Sequence, residues 1–366
     1  MQITDLVVKR LERAVDSRLW NPTHRWSVKP LVLVFLTTDS GLTGVGEAFT
    51  AGGAGEALEQ SLINDVKPLV VGRSAFEVRD IWRLLMRKVT GHGLLGPALS
   101  AVDIAVWDLI GQHAGLPLHR MFGTASTQIF TYASAGLYAD GKGLDELAEE
   151  MAGYVADGFD AVKMKIGGAS LEEDEARVRR VRETIGPTRR LMIDASSVLT
   201  PRQARDYALR LAPLDIHFFE APIAIPDVGG LAELKTVSPI AITTENQFGL
   251  AAYERHTRAR AADNLQMNVT LSGGLTECFR IAALATAANM ACTFQCAGSF
   301  VSLAATLQFA AALDNCDSVE MHMVHQWLPE YATGDEYRRD GSYLTPGMHP
   351  GIGLGDDARQ RLMQGS

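Results

Sequence analysis

Hydrophobic and polar positions alternate in strand fashion through the first fifty residues, in ITDLVVKRL, KPLVLVFLTT and GLTGVGEAF. Asp39-Ser40-Gly41 is a turn signal between the last two, so the pattern predicts an antiparallel meander. From Ala54 to about Gly115 the spacing becomes helical. The run ALSAVDIAVWDLIGQHAG ends on Gly115, a residue suited to a helix C-cap. The first third therefore reads as α+β. After about Ile129 short apolar strands (FDAVKMKI, RRLMIDA, IHFFEAP, IAITTE, NLQMNV, ACTFQCA, SVEMHMV) alternate with helical stretches such as LDELAEEMAGYVADG and LEEDEARVRRVRETIG. This βα rhythm predicts a parallel sheet.

Polar residues cluster where these strands end. From Lys163 they fall at Asp194, Glu220, Glu245, Asn268, Gln295 and Glu320, at intervals by subtraction of 31, 26, 25, 23, 27 and 25 residues. A repeated unit of this length, with a polar residue at each strand's C-terminal end, is what a closed βα barrel supplies, since its working residues share one rim. An open doubly wound sheet is the competing architecture, but the G-x-G-x-x-G phosphate fingerprint is absent.

Composition narrows the partners. The chain has 366 residues, 47% hydrophobic and 21% charged, enough for one large core or two domains. A net charge of -9 and the lack of a basic tract argue against nucleic acid. The opening MQITDLVVKRLER meets charge before any long apolar run, unlike a signal peptide, and no long uncharged apolar stretch suggests a membrane span. Cys278, Cys292, Cys296 and Cys316 show no C-x-x-C spacing, so a reduced cytoplasmic protein is expected.

Two features carry chemistry. Asp194, Glu220 and Glu245 end three successive strands, which a barrel would bring together. Converging carboxylates repel unless a cation neutralises them, and oxygen ligands on rigid strands suit Mg²⁺. AVKMKIGG places Lys163 and Lys165 on one face of a strand otherwise built of Val162, Met164 and Ile166. A lysine beside such an ion can remove the proton α to a bound carboxylate, provided its pKa is brought down toward working pH. The plainer reading is three surface acids and a solvated strand end. The near-equal spacing and apolar flanks disfavour it.

AVKMKIGG, LMIDAS, FFEAPI, TTENQFG and LSGGLTE, in that order, resemble the mandelate racemase and muconate lactonizing branch of the enolase superfamily. GLTGVGEAF and LSAVDIAVWDLIGQHAGLPLHRMFG match its first third, so the resemblance spans nearly the whole chain. It implies a modified (β/α)7β barrel of the TIM type over residues 126–344. An N-terminal α+β capping domain would span 1–125, completed by about 345–366. It also implies a homo-oligomer. By position, Asp194, Glu220 and Glu245 match the Mg²⁺ ligands, Lys165 the acid/base lysine and Lys163 its partner. Ser196 stands where many members have asparagine. Glu320 matches a glutamate of the eighth strand that can hydrogen-bond the intermediate.

The departures shape the expected reaction. Relatives place a lysine, or an aspartate paired with histidine, where this chain has Asn268 and Gln295. With both missing, one base remains, which disfavours racemisation and fits a syn elimination of water by Lys165. The expectation is a dehydratase of a small hydroxylated carboxylate, with cis-3-hydroxy-L-proline as the specific substrate. An acid-sugar dehydratase or a racemase/epimerase is the alternative within the superfamily, and a non-catalytic metal- or ligand-binding barrel scaffold the alternative outside it. Substrate contacts are expected from the loop DSRLWNPTHRWSV, through Trp20, His24, Arg25 and Trp26, and from the glycine-rich TAGGAGEA at 50–57. Asn268, Gln295, Cys296 and Glu320 complete the expected set, with His322 and His325 near the mouth.

Overall fold

The computed structural model describes residues 1–50, 53–325 and 327–365. The N-terminal segment forms β1 (Ile3–Ala14), a two-residue β2 (Leu19–Trp20), β3 (Val28–Thr38) and β4 (Thr43–Ala48). β1, β3 and β4 make the expected antiparallel meander. β3 is buried on both faces, which explains its unbroken apolar run LVLVFL. Its side chains divide by parity. Val32, Val34 and Leu36 pack with the cap helices, while Leu31, Leu33 and Phe35 belong to a core shared with the barrel. Gly44 and Gly46 let β4 lie directly on the helix Gly96–Ala114, because a Cβ at Gly46 would collide with the Ala101 carbonyl.

The barrel strands follow: β5 (Ile129–Ser134), then a short β6 (Tyr138–Ala139) outside the barrel, β7 (Ala161–Lys165), β8 (Arg190–Asp194), β9 (Ile216–Glu220), β10 (Ile242–Thr243), β11 (Asn264–Met267), β12 (Ala291–Phe294) and β13 (Cys316–His322). Neighbours run parallel, and β13 pairs with β5 to close the ring. That pairing excludes the open doubly wound sheet. Helices fill the connections from β5 to β13, giving the (β/α)7β arrangement. The cross-strand register aligns Lys165 with Asp194 and Asp194 with Glu220, so three polar residues form one row at the C-terminal rim. Glu245 lies two residues past β10, and Asn268 and Gln295 each one residue past their strands.

After β13 the chain makes a hairpin of β14 (Tyr337–Asp340) and β15 (Tyr343–Pro346), with β15 antiparallel to β5. It then returns to the cap, where Gly351 pairs with Pro117 and Arg359 reaches Asp108 at 2.7 Å. No helix among the described residues is long and apolar enough to cross a membrane.

Candidate active site

The barrel mouth holds a cavity of about 330 Å³ between the rim and the cap. Its wall includes Lys165, Ser196, Ser197, Glu245, Asn246, Gln295, Glu320, His322 and His325 from the barrel. The cap contributes Asn21, Thr23, His24, Trp26, Lys29 and Phe49.

Lys163 and Lys165 point the same way, as alternation requires, but they sit differently. Lys163 is fully buried, bonded to Glu220 at 2.5 Å and Glu320 at 2.9 Å, 5.2 Å from the Tyr132 ring centre. Burial opposes its charge, yet Glu220 and Glu320 outweigh that and hold the ammonium well above its ordinary range. Lys165 reaches the cavity and donates to Asp194 and, at 3.3 Å, to the Ser196 hydroxyl. Burial is again the largest influence and lowers its pKa, but the Asp194 carboxylate reverses the balance and leaves it raised. This direction is opposite to the depressed pKa expected from the sequence. The physical reason is that Asp194 holds Lys165 more strongly than Lys163 repels it.

The carboxylates are short of neutralising charge. Burial first, then repulsion from Asp194, pushes Glu220 up to about 8 and Glu245 up to about 7. Glu220 also accepts from Gln266 Nε2 at 2.6 Å, and Asp194 from the Ser196 N–H at 2.7 Å. Among the described residues no three His, Cys, Asp or Glu side chains are drawn together in ligating geometry, since two of these carboxylates are turned onto the lysines. The donor set itself fits a hard divalent cation: oxygen atoms only, on three successive strand ends, with buried negative charge in excess. The backbone bends sharply just past the rim, with φ of 50° at Ser196, 62° at Ser197 and 45° at Ala221. Left-handed non-glycine residues at a rim of this kind are a mark of functional constraint.

The expected substrate contacts divide. His24, Trp26, Gln295 and Glu320 line the cavity, and His24 stacks on Trp26. Trp20 does not line it: the indole stacks on Tyr138 at 4.5 Å, where β2 pairs with β6. Arg25 is an exposed partner of Asp140 at 2.7 Å. Cys296 faces a neighbouring cavity of about 240 Å³, and burial pushes its thiol up to about 12. Asn268 is buried behind the wall, accepting from Thr270 N and donating to Gln295 Oε1 at 3.1 Å. Asn246 donates to the same oxygen at 2.9 Å, so a row of amides fills the arc where relatives place the second acid/base group. Of the glycine-rich stretch 50–57, residues 51 and 52 lie outside the described residues.

Sequence reasoning did not single out Lys29, Glu47, Asn246 or Gln266. Glu47 from β4 accepts from the N–H groups of Ser299 at 3.0 Å and Ser302 at 3.2 Å, at the start of the helix Phe300–Ala310. A carboxylate at a helix N-terminus is a favourable placement, and this one fixes the cap to the loop after β12.

Comparison with known proteins places these features in a family. The family described as "Enolase C-terminal domain-like" matches residues 146–360, and the mandelate racemase / muconate lactonizing enzyme N-terminal domain matches residues 14–123. The chain is 29% identical to arabinonate dehydratase of Saccharolobus solfataricus, covering 88% of this chain and 87% of the relative. It is 31% identical to D-galactarolactone cycloisomerase of Agrobacterium fabrum, covering 86% and 83%. Among solved structures, a racemase from Streptomyces coelicolor with bound magnesium superposes with a TM-score of 0.89 at 28% identity, covering 98% of both chains. The barrel closed by β5 and β13, the cap sheet and these matches together make the chain a member of the enolase superfamily, in its mandelate racemase and muconate lactonizing branch.

Proposed function

We propose that this protein is a Mg²⁺-dependent dehydratase of a small hydroxylated carboxylic acid, with Lys165 as the base that removes the α-proton. The observation that carries this reading is Lys165 itself, a lysine on the wall of the cavity that Glu245 also lines, with its amine directly on Asp194. Asp194, Glu220 and Glu245 would hold the ion. When bound, Mg²⁺ supplies positive charge that offsets the negative charge building on the substrate carboxylate, and competes for the Asp194 oxygens that here keep Lys165 protonated. Lys163 contributes fixed charge, tied to Glu220 and Glu320. Trp26 and Phe49 add apolar surface to the wall, which lowers the local dielectric and strengthens charge interactions beside it.

Substrate class follows from the lining. Asn21, Thr23, His24, Asn246, Gln295, His322 and His325 offer hydrogen-bonding groups around much of the cavity, as a polyhydroxylated acid needs. Relatives named as arabinonate and D-galactonate dehydratases support the same class. Acid sugars are therefore the first substrates to test. cis-3-Hydroxy-L-proline is the second, since no relative named above acts on a proline. The test is a panel of aldonic and aldaric acids and 3-hydroxyproline isomers with Mg²⁺, followed by NMR in D₂O. Loss of water to a 2-keto or imino acid is expected from at least one compound. Removing divalent ions with EDTA should abolish that turnover, and Mg²⁺ should restore it. Epimerisation with no loss of water from any compound would overturn the dehydratase reading. The absence of any α-proton exchange across the panel would overturn the role of Lys165.

A further inference from the structure

The amides Asn268 and Gln295 leave the arc of the barrel across from Lys165 without a titratable group, but the cap supplies one. Lys29, the second residue of β3, is in phase with Leu31, Leu33 and Phe35, the face of that strand that packs on the barrel. Alternation therefore sends its side chain toward the mouth rather than into the cap helices. It is 3% exposed and lines the cavity that Lys165 lines. Its amine donates to the Ala297 carbonyl at 2.5 Å, in the loop after β12, and stands 5.9 Å from the Trp327 ring centre. Around the ring from β7 the order is β5, β13, β12, so Lys29 docks three strands from Lys165, on the other side of the mouth. Among the described residues it forms no ion pair, and an ammonium has three donors where this one spends a single N–H. Glu47 and Glu320 act on it only from beyond contact, and a buried cation with no carboxylate in contact is costly.

We propose that Lys29 is the general acid that protonates the leaving hydroxyl, on the substrate face turned away from Lys165. This rests on the dehydratase reading above and deepens it. Lys165 takes the proton from Cα, and the electrons of that C–H bond form the Cα–Cβ π bond. The Cβ–O bond breaks with its electrons on oxygen, which receives a proton from Lys29 Nζ and departs as water. Lys165 ends as ammonium and Lys29 as amine, and exchange with solvent restores both. The enol product tautomerises to the keto acid. The elimination is then anti, rather than the one-base syn reaction expected from the sequence.

The electrostatics suit this role. Burial lowers the Lys29 pKa to about 8, partly offset by Glu47 on β4, Glu320 on β13 and Cys296 after β12. His322 and His325 also face it, and burial first, with Lys29 among the charges, pushes both imidazoles well below their ordinary range. A donor with a pKa near working pH transfers its proton readily. Because Lys29 must be protonated to act, elimination should fall as pH rises through about 8.

The experiment compares wild type with Lys29→Met and Lys29→Arg on whichever acid of the panel loses water, measuring water loss and α-proton exchange in D₂O side by side. Lys29→Met is expected to lower elimination by about 10²–10⁴-fold while α-proton exchange persists, because Lys165 is untouched. Lys29→Arg keeps the charge but cannot release a proton near neutrality, so it should be as slow as Lys29→Met, and neither variant should show the limb near pH 8. Elimination at the wild-type rate in Lys29→Met, or recovery in Lys29→Arg, overturns the acid role. Exchange and elimination lost in equal proportion would make Lys29 a structural or binding group and overturn it as well. A wild-type protein that exchanges the α-proton but eliminates water from no compound sinks the dehydratase reading and, with it, this step.

Discussion

Replacing Lys165 with methionine should lower α-proton exchange by about 10²–10⁴-fold, the contribution typical of a positioned general base. The wall of the cavity holds two lysines, and they are not interchangeable. Lys29 is anchored to Ala297 on the far side, and Lys163 is locked behind the wall by Glu220 and Glu320. Neither can take over a proton that lies beside Asp194. Methionine keeps the aliphatic volume, so the surrounding strands should stay in place, and circular dichroism with a urea titration would check this. Asp194 retains the Ser196 N–H after the change. The measurement is exchange of the α-proton in D₂O with Mg²⁺ present, for the best acid of the panel. Wild-type exchange in a folded Lys165→Met protein would show that another group is the base.

Asp108→Ala should cost about 3–5 kcal/mol of stability, the range for breaking a buried ion pair by removing one partner. Asp108 is fully buried and serves several parts of the chain at once. Its carboxylate accepts from Val45 N on β4 at 3.0 Å, Gln112 Nε2 at 3.0 Å, Ile352 N at 2.8 Å and Arg359 Nη2 at 2.7 Å. Alanine would leave the Arg359 guanidinium and two backbone N–H groups buried without this acceptor. Arg359→Met should cost less, because Asp108 keeps its backbone donors and an apolar side chain replaces a charge in a buried site. Urea midpoints of the two variants would decide it. A loss below about 1 kcal/mol for Asp108→Ala would mean that water reaches the site and replaces the missing acceptor.

The parts of the site on barrel strands were legible because the fold repeats. Asp194 and Glu220 end short apolar strands, and the regular spacing of such residues is a signal that one chain can show by itself. Glu245 was found by the same spacing although β10 is only two residues long. The cap contribution was harder to read for a physical reason. In SVKPLVLVFLTT the period of two shows that Lys29 shares a face with Leu31, Leu33 and Phe35, but not what that face packs against. Both faces of β3 are buried, so the alternation lacks the polar side that would mark the outside. Trp20 illustrates the opposite error. An aromatic residue in a loop of the right region suggests a substrate contact, yet its partner Tyr138 belongs to β6, an excursion between two barrel strands that no periodicity announces. The direction of the Lys165 pKa was likewise beyond the sequence, because it depends on whether Asp194 or Lys163 stands closer to the amine.

The return of the chain to the cap bears on how the protein is made. Residues 1–125 emerge from the ribosome before the barrel, but the guanidinium that partners Asp108 arrives only after every barrel strand has been synthesised. Until then the cap carries a carboxylate in its interior with no cation beside it, and β4 lacks the lock that Asp108 gives it through Val45. The cap thus appears before the barrel and is finished after it. Its completion waits on the barrel, so the nascent cap should stay loosely held and protease-sensitive until Arg359 has left the exit tunnel. The cavity lined by Lys29 of β3 and by the barrel rim is then complete only once both units are in place.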